Sequence, residues 1–366
     1  MSAVLQRKIV SSDSHVIEPP EMWREYITPK MRDRAPRIEH AKDDDLYWID
    51  GLKALPVRTL STAGIPSEIT KTYRRWDAPR LKGGWDPVIR VKDLERDRID
   101  AEVIYSTICM KFYALDDGEY RAELFNAYNR WITDFCKTDP QRYLGIAVLA
   151  TENIQQAVKD LQEIRKMGLG GAALGLTSPG LTYASPEYDP LWAAAQDLQM
   201  PLSLHNFTQG KSILGRNRME MYPSAVCGVQ DFISSLMFNG VFERFPKLKI
   251  VSVENDIGWI ASYLQRCDQV YSRYSILDDK KFKSGRTPTE VCRQHVYHTF
   301  TRDRAGIKTY ELWGGLPNIM WASDYPHGDS SYPASPQMVE AQVGDLPQDH
   351  QDRILRTNVL DLYDWH

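Results

Sequence analysis

The sequence predicts an α/β fold, and most economically a (β/α)8 TIM barrel, because short apolar runs alternate with longer helical patterns. The runs are rich in apolar and β-branched residues and lie at 8–15, 101–107, 143–150, 171–177, 201–207, 248–255, 296–300 and 318–326. This alternation is typical of parallel strands joined by crossover helices. Eight such strands close most simply into a barrel, although a doubly wound open sheet has the same local pattern.

The segments between the runs have the spacing of helices. Helical patterns lie at 119–137, 153–167, 187–198, 225–244, 256–274 and 303–312, and a closing amphipathic helix is predicted at 353–365. Several begin after a Ser, Asp or Pro signal, as in SPEYDPLWAAAQDL at 185–198. The segments between the runs can therefore form the crossover helices that parallel strands require.

One interval, residues 19–95, separates the first run from the second and shows no clear periodicity. It is rich in Pro, Arg and Asp and contains Trp23, Trp48, Trp76 and Trp85. In a barrel, a long excursion after strand 1 lies at the end where the strands finish, so we expect a lid or one wall of a pocket. Structural packing or a dimer contact is the alternative. We treat 1–366 as a single domain that carries this insertion.

The composition is that of an ordinary globular protein. Of 366 residues, 42% are hydrophobic and 26% are charged, and the formal net charge is −4. This balance gives no attraction to nucleic acid or to an anionic membrane. The N-terminal apolar stretch is too short for a signal peptide, and no window approaches the roughly 20 apolar residues that span a bilayer, so we expect a cytoplasmic protein. Its five cysteines are scattered, as is typical of reduced thiols.

Polar residues close four of the predicted strands. Asp13 and His15 close the first run, His205 the fifth, Glu254 the sixth and Asp324 the eighth. In a barrel the carboxyl ends of all strands open on the same face, so these side chains are expected to converge. Asp13 and His15 are two positions apart and share a face of their strand. Convergence of this kind predicts a metal centre.

Each of these residues also has a structural interpretation. A single His at a strand end is more often hydrogen-bonded within the fold, and an Asp in that place is a good helix cap. Four strands that end in this way favour a shared cation, because it gives every buried polar group a partner. The mixed nitrogen and oxygen set suits Zn, Mn, Fe or Co, and the lack of a thiolate argues against a closed structural zinc site.

Longer stretches of the sequence resemble a known family. DSHVIEP, LHNF, FPKLKIVSVENDIGWI and WASDYPHGDS together resemble the amidohydrolase-related family of the amidohydrolase superfamily, which includes decarboxylases related to aminocarboxymuconate semialdehyde decarboxylase and resorcylate decarboxylase as well as lactonases and other hydrolases. The resemblance spans nearly the whole chain. It implies a (β/α)8 barrel with a divalent metal held by Asp13, His15, His205 and Asp324.

Two positions depart from the family's patterns. The fourth run, GAALGLT, has no Lys, so the carbamate bridge of many binuclear members is not expected. Where the decarboxylases have a sixth-strand His that is used in catalysis, this chain has Glu254. Glu254 is expected either to join the metal shell, which leaves one ion or two open, or to deprotonate a metal-bound water.

These departures favour hydrolysis as the main expectation. A divalent ion lowers the pKa of bound water to roughly 7 and polarises the carbonyl of an ester, lactone, thioester or amide. Asp324 and Glu254 would act on the proton of this water, and His327 would touch substrate or transfer protons. Decarboxylation of an aromatic or enoic acid is the alternative. A catalytically silent barrel that serves as a binding subunit is the alternative from another class.

Three further residues are predicted to bind substrate. Asn206 follows His205 and would direct its amide at the substrate, and His298 nearly ends the seventh run. Glu18 would contact substrate or orient His15 from behind. For His298 a core position is favoured over one in the pocket, and for Glu18 a solvated position is the alternative. We expect a small substrate that is aromatic or bears a carboxylate, and a homodimer that binds neither nucleic acid nor membrane.

Overall fold

Eight parallel strands form the main sheet of the structure, a computed structural model that describes residues 8–70, 72, 74–76, 79–177, 180–213 and 216–365. The strands are β1 (Val10–Val16), β2 (Ala101–Ser106), β3 (Tyr143–Val148), β4 (Gly171–Leu174), β5 (Leu202–His205), β6 (Ile250–Val253), β7 (Val296–Phe300) and β8 (Ile319–Trp321). They follow one another in the sheet in chain order. Each predicted run contains one strand, and the predicted barrel class is confirmed.

The barrel closes where β1 meets the chain that follows β8. The amide of Asp324 donates to the carbonyl of Asp13 at 3.0 Å, and the amide of His15 donates to the carbonyl of Tyr325 at 2.6 Å. The hydroxyl of Ser12 donates to the carbonyl of Trp321 at 2.9 Å. We call residues 10–16 and 319–325 together the closing seam. Its backbone pairing continues past the end of β8, so it joins the very residues that carry the predicted ligands.

Serine hydroxyls occupy the interior of the closing seam. The Oγ atoms of Ser11 and Ser14 each lie 3.0 Å from Oγ of Ser323, and the amide of Ser323 donates to Oγ of Ser11 at 2.8 Å. The pairing of β1 with β2 is irregular between Ser11 and Ser14. All three serines are buried, so their hydroxyls supply hydrogen bonds that an irregular ladder leaves unmade.

Helices connect the strands and cover the sheet. Their bounds are Pro20–Tyr26, Ser67–Thr70, Pro87–Asp97, Cys109–Phe112, Gly118–Cys136, Ile154–Met167, Asp189–Asp197, Arg218–Ser224, Val226–Phe238, Val241–Arg244, Ile260–Leu277, Pro288–His295, Arg304–Thr309, Ser335–Val343, Gln348–Asp352 and Asn358–Tyr363. The pattern at 225–244 is divided into two helices by Gly240, which has φ 72°. In the described part of the chain, no helix has the length and apolar character needed to cross a bilayer.

The insertion at 19–95 is folded. It contains a three-stranded antiparallel sheet of Arg37–His40, Asp45–Trp48 and Leu55–Pro56, flanked by the helices Pro20–Tyr26 and Pro87–Asp97. The indole of Trp23 is buried with Tyr47 in the continuous apolar core. The insertion is attached to the strand ends, because the amide of Ile17 donates to the carbonyl of Gly84 at 2.8 Å.

Arg90 connects the insertion with the closing seam. Its guanidinium forms a bidentate ion pair with Glu102 of β2, and both side chains are fully buried. It also donates to the carbonyl of His15 at 2.8 Å and to that of Gly83 at 3.1 Å. One buried cation therefore holds β1, β2 and the insertion together.

We expect Arg90→Met to lower the free energy of unfolding by about 3–5 kcal/mol, because it leaves the carboxylate of Glu102 buried without a partner. Urea unfolding followed by fluorescence measures the change. The double variant Arg90→Met with Glu102→Leu removes the orphaned charge and should be more stable than Arg90→Met alone. If the free energy of unfolding of the double variant fell by the sum of the decreases in the two single variants, this account would be contradicted.

Candidate metal centre and substrate pocket

Three predicted ligands converge at the carboxyl ends of β1 and β5. Oδ1 of Asp13 lies 3.4 Å from Nε2 of His15 and 3.6 Å from Nε2 of His205. The two Nε2 atoms lie 3.1 Å apart. All three side chains are buried. The geometry therefore gathers two imidazoles and one carboxylate around a common point.

The hydrogen bonds of the two imidazoles fix their tautomers. Nδ1 of His15 lies 3.0 Å from the carbonyl of Ser106, and Nδ1 of His205 lies 2.9 Å from the carbonyl of Asn206. A carbonyl only accepts, so each Nδ1 carries the proton and each Nε2 of a neutral ring has a lone pair. Burial, together with repulsion from His327, lowers the pKa of His15 to about 4, so this ring is neutral at pH 7.

A cation fits this donor set. Two lone pairs face each other at 3.1 Å, and Oδ1 of Asp13 is buried without a hydrogen-bond partner. Such an arrangement is unfavourable unless a positive charge lies between the atoms. The hydrogen bonds from Nδ1 to backbone carbonyls are those that orient metal-ligating histidines in proteins.

Asp324 and His327 extend the cluster from the closing seam. Oδ1 of Asp324 lies 3.7 Å from Nε2 of His15 and 2.9 Å from Nδ1 of His327. Nε2 of His327 lies 3.0 Å from Oγ1 of Thr107, and its ring centroid is 4.2 Å from that of His15. Asp13, His15 and His205 form one potential ligand group, and His15, Asp324 and His327 form a second that shares His15.

Left-handed backbone conformations direct side chains at the strand ends. Glu254 and Asp324 both have φ 58°, Phe207 has φ 65° and Asp256 has φ 52°. Non-glycine residues adopt this region at a cost of roughly 1–3 kcal/mol and do so most often at functional sites. The chain therefore bends directly after β5, β6 and β8, at the positions where the acids and imidazoles meet.

Glu254 occupies the position after β6 but is not grouped with the four converging ligands. Its Oε2 lies 3.5 Å from Nδ1 of His205, which is the nitrogen that faces away from His15. Burial, followed by the negative charges of Asp324 and Asp13, raises the pKa of Glu254 well above its usual range. The structure thus places Glu254 beside the metal ligands, on the far edge of one imidazole.

A cavity of about 450 Å³ opens beside Asp324 and Glu254. Its lining includes Asn206, Tyr222, Glu254, Trp259, Arg302 and Asp324. The volume lies in the range of small-molecule sites. The lining includes aromatic side chains, and its charge is mostly negative, because besides Arg302 it contains Glu254, Asp256, Asp303, Asp324 and Asp329. Among the residues that the structure describes, none from 19–95 lines this cavity, and a lid or pocket wall formed by the insertion stays a prediction.

Asn206 is the one predicted substrate-binding residue that lines the cavity. Its Oδ1 accepts from the amide of Phe207 at 2.8 Å. Its side-chain nitrogen makes no hydrogen bond with the part of the chain that the structure describes. Asn206 therefore keeps a donor for a ligand.

Glu18 and His298, the other two predicted substrate-binding residues, do not line this cavity. Glu18 is fully buried, and its carboxylate accepts from the hydroxyl of Ser106 and from the amides of Ile108 and Cys109. The oxygens of the Glu18 carboxylate therefore already accept hydrogen bonds from the start of the helix Cys109–Phe112. The bond from Ser106 also holds in place the residue whose carbonyl orients the ring of His15.

His298 is a core histidine. Its ring packs between Trp259 and Trp313, with centroids 5.7 Å and 5.8 Å away. Burial lowers its pKa to about 3. The next residue, Thr299, lines the cavity, so the alternation of a strand turns His298 to the opposite face.

Sequence reasoning missed three polar or charged residues around the cavity. Arg302 follows β7, lines the cavity and pairs with Asp329 at 2.7 Å. Tyr222 also lines the cavity, and Lys111 lies behind it next to Phe207. The position of Arg302 just after the seventh run was a usable signal. Tyr222 and Lys111 lie in the segments between strands, where no alternating pattern indicates which way a side chain points.

The chain is similar to curated decarboxylases. Over 175 residues it is 26% identical to the 2-amino-3-carboxymuconate-6-semialdehyde decarboxylase of Dictyostelium discoideum, which covers 45% of this chain and 46% of that protein. Over 150 residues it is 26% identical to the gamma-resorcylate decarboxylase of Rhizobium sp. This alignment covers 38% of this chain and 46% of that protein. The chain thus spans about half the length of these curated relatives.

Solved structures share the fold. The 5-carboxyvanillate decarboxylase of Novosphingobium aromaticivorans, complexed with manganese and 4-hydroxy-3-methoxy-5-nitrobenzoic acid, has a TM-score of 0.70 and 17% identity, covering 98% of this chain and 97% of that one. Fold and site together define an α/β barrel that gathers acids and imidazoles at the strand ends. A family model described as amidohydrolase matches residues 21–365, and the chain belongs to this family.

We expect His205→Ala to lose most of the divalent metal that the wild-type chain retains after dialysis, because it removes one of two opposed Nε2 atoms. Elemental analysis of the purified proteins measures the metal. Asp13→Asn should lose metal as well, since an amide is a weaker ligand. The control is His350→Gln, which changes a histidine bonded to Tyr310 outside the site. Full metal content in His205→Ala would refute the assignment.

Metal removal is expected to loosen the closing seam, because Asp13 and His15 lie on one side of it and Asp324 on the other. Hydrogen exchange at 10–16 and 319–325 should become faster after chelation, and exchange at β3 should stay unchanged. The melting temperature should fall on chelation and recover when Mn²⁺ is restored. Equal acceleration across the whole barrel would argue against a local effect.

Proposed function

We propose that this protein catalyses the non-oxidative, metal-dependent decarboxylation of a small aromatic or enoic acid. The observation that carries the proposal is the convergence of Asp13, His205 and Asp324 around His15, with Asp324 lining a cavity, in a family whose similar curated members are decarboxylases. Hydrolysis, the main expectation from the sequence, has less support from these relatives than the decarboxylase alternative. The substrate panel described below therefore measures hydrolysis as well as decarboxylation.

Asp13, His15, His205 and Asp324 would hold the metal. When bound, a divalent cation supplies positive charge that attracts a carboxylate and a neighbouring hydroxyl or carbonyl oxygen of the substrate. Solved structures with manganese support this ion as a first choice for reconstitution. The backbone carbonyls of Ser106 and Asn206 hold the two imidazoles in the tautomer that exposes Nε2.

The cavity would orient the acid. Tyr222 and Trp259 offer aromatic surfaces, and Asn206 has an unused side-chain donor. Arg302 contributes a cation at the lining, although Asp329 already pairs with it. These groups suit a flat acid whose carboxyl end points toward Asp324.

Decarboxylation requires a proton at the carbon that loses CO2, because the bond to the carboxylate breaks and its electron pair stays on that carbon. Glu254 would hold and deliver this proton; its position in the lining of the cavity with Asn206 and Asp324 supports this role. His327 is less well placed. Both of its ring nitrogens are already bonded, to Asp324 and Thr107, and it is not part of the lining.

The test is a substrate panel given to the manganese-loaded protein. We expect CO2 release from at least one o-hydroxybenzoate or enoic acid, measured by a coupled bicarbonate assay, and no comparable turnover of esters, lactones, thioesters or amides. The matched control is the His205→Ala protein at equal concentration. Turnover confined to the ester and lactone panel would reverse the assignment in favour of hydrolysis.

We expect Glu254→Gln to lower kcat by about 10²–10⁴-fold, because general acid catalysis contributes this much and an amide cannot donate in the same way. Metal content should remain at the wild-type level, since Glu254 faces Nδ1 rather than Nε2 of His205. Glu290→Gln, which changes a glutamate in the capping box of the helix Pro288–His295, is the control. A loss of metal together with activity would instead make Glu254 a ligand.

A further inference from the structure

The His327 ring is held at both of its nitrogens and on one face. Its Nδ1 lies 2.9 Å from Oδ1 of Asp324, and its Nε2 lies 3.0 Å from Oγ1 of Thr107. Its centroid lies 4.2 Å from that of His15, at an interplanar angle of 33°. Three neighbours of this kind restrict the ring to one orientation, so the ring connects the position of Thr107 to that of Asp324.

The hydrogen bonds of this chain of three residues have a defined direction. A carboxylate only accepts, so Nδ1 of His327 carries the proton and donates to Asp324. In the neutral ring Nε2 then has a lone pair, and the hydroxyl of Thr107 donates to it. Thr107 is the only hydrogen-bond partner of this nitrogen in the part of the chain that the structure describes. Without that hydroxyl the ring is free to turn away from Asp324.

Thr107 itself has a fixed position. It follows β2 directly, and its side chain is buried. The neighbours on either side, Ser106 and Ile108, both donate to the buried carboxylate of Glu18, the first from its hydroxyl and the second from its amide. The hydroxyl of Thr107 is therefore presented to the His327 ring by a turn that is pinned on both sides.

The carboxylate of Asp324 depends on His327 for its orientation. Asp324 lies beyond the end of β8, in a left-handed conformation with φ 58°. Among the described residues, the His327 ring is the one group that hydrogen-bonds its side chain, and it does so at Oδ1. Carboxylates that ligate metals are commonly held by such an outer hydrogen bond, which sets their orientation and affects metal affinity.

We propose that Thr107 is a positioning residue that acts through the His327 ring to hold the Asp324 carboxylate in place for a divalent cation. This inference rests on the metal centre of the proposed function and does not depend on which reaction that centre performs. Thr107 does not line the cavity, so its effect on metal binding reaches Asp324 through His327.

Two other roles of His327 lead to different outcomes. As a metal ligand through Nε2, it would use the atom that Thr107 occupies, so loss of the hydroxyl would leave metal affinity unchanged or raise it. As a group that only transfers protons, it would alter turnover and leave metal affinity unchanged. A positioning role weakens metal binding in the absence of any substrate.

The experiment measures the affinity of the chelator-treated, metal-free protein for Mn²⁺ by calorimetry, without substrate. We expect Thr107→Val, which keeps the shape and removes the hydroxyl, to bind about 10-fold more weakly than wild type, at the lower end of the effect of outer hydrogen-bond partners. Thr107→Ser keeps the hydroxyl and should retain wild-type affinity. A packing role would give the opposite order, because serine loses the methyl group that valine keeps.

A double-mutant cycle tests whether Thr107 acts through His327. His327→Phe should weaken Mn²⁺ binding about 10- to 100-fold. Adding Thr107→Val to His327→Phe should then change the affinity by less than about twofold, because the bond that it removes is already absent. The matched control is Thr133→Val, which removes a buried hydroxyl bonded to the carbonyl of Asn129 within the helix Gly118–Cys136.

The melting temperatures of the metal-free proteins establish that each variant is folded, and Thr107→Ala serves as a second variant if Thr107→Val is unstable. Wild-type or higher affinity in Thr107→Val, an equal loss in Thr107→Ser or Thr133→Val, additive losses in the double variant, or a wild type that binds no Mn²⁺ overturns the inference. Failure of the proposed function has a different signature: no CO2 release from any acid, with the dependence of Mn²⁺ affinity on Thr107 and His327 still present.

Discussion

The closing seam is the constraint on which the candidate site depends. Two backbone hydrogen bonds, from Asp324 to Asp13 and from His15 to Tyr325, join the start of the barrel to the chain that follows its last strand. The residues that make these bonds are the ligands themselves or their neighbours. The candidate metal centre can therefore assemble only when the barrel is closed, so that folding of the sheet and assembly of the site are one event.

The five residues of SSDSH, at 11–15, have two different roles. Ser11, Ser12 and Ser14 supply hydroxyls to the seam, while Asp13 and His15 face the ligand cluster. A polar strand would be unstable in a dry barrel interior unless each group found a partner. Here the serines find one another and the backbone of the last strand, and the carboxylate and the imidazole would find a cation. The high polarity of β1 is thus explained by closure and by chemistry together.

The sequence was sufficient for the strands and for bringing Asp13, His15, His205 and Asp324 to one end of the barrel, because in a parallel barrel the carboxyl ends of all strands open on the same face. Their role as metal ligands stays a prediction. The sequence was insufficient where direction depends on strand parity, as for His298, which lies one position before the inward Thr299. It was insufficient in connections, where Lys111 and the antiparallel sheet of the insertion have no distinctive period. The helix Pro288–His295 had a readable signal, the capping box of Thr287 and Glu290, that strand and helix periodicity alone overlooks.

The charges of the site impose an order on binding. Asp13, Asp324 and Glu254 bring three carboxylates together, while the nearby His15 ring is neutral and Lys111 is the cation that Glu254 attracts. The excess of negative charge is what raises the pKa of Glu254 beyond the effect of burial, and it repels any acid that approaches. A divalent cation removes this excess. The metal should therefore bind before an acidic substrate does, and affinity for the substrate should depend on metal even when no bond is broken.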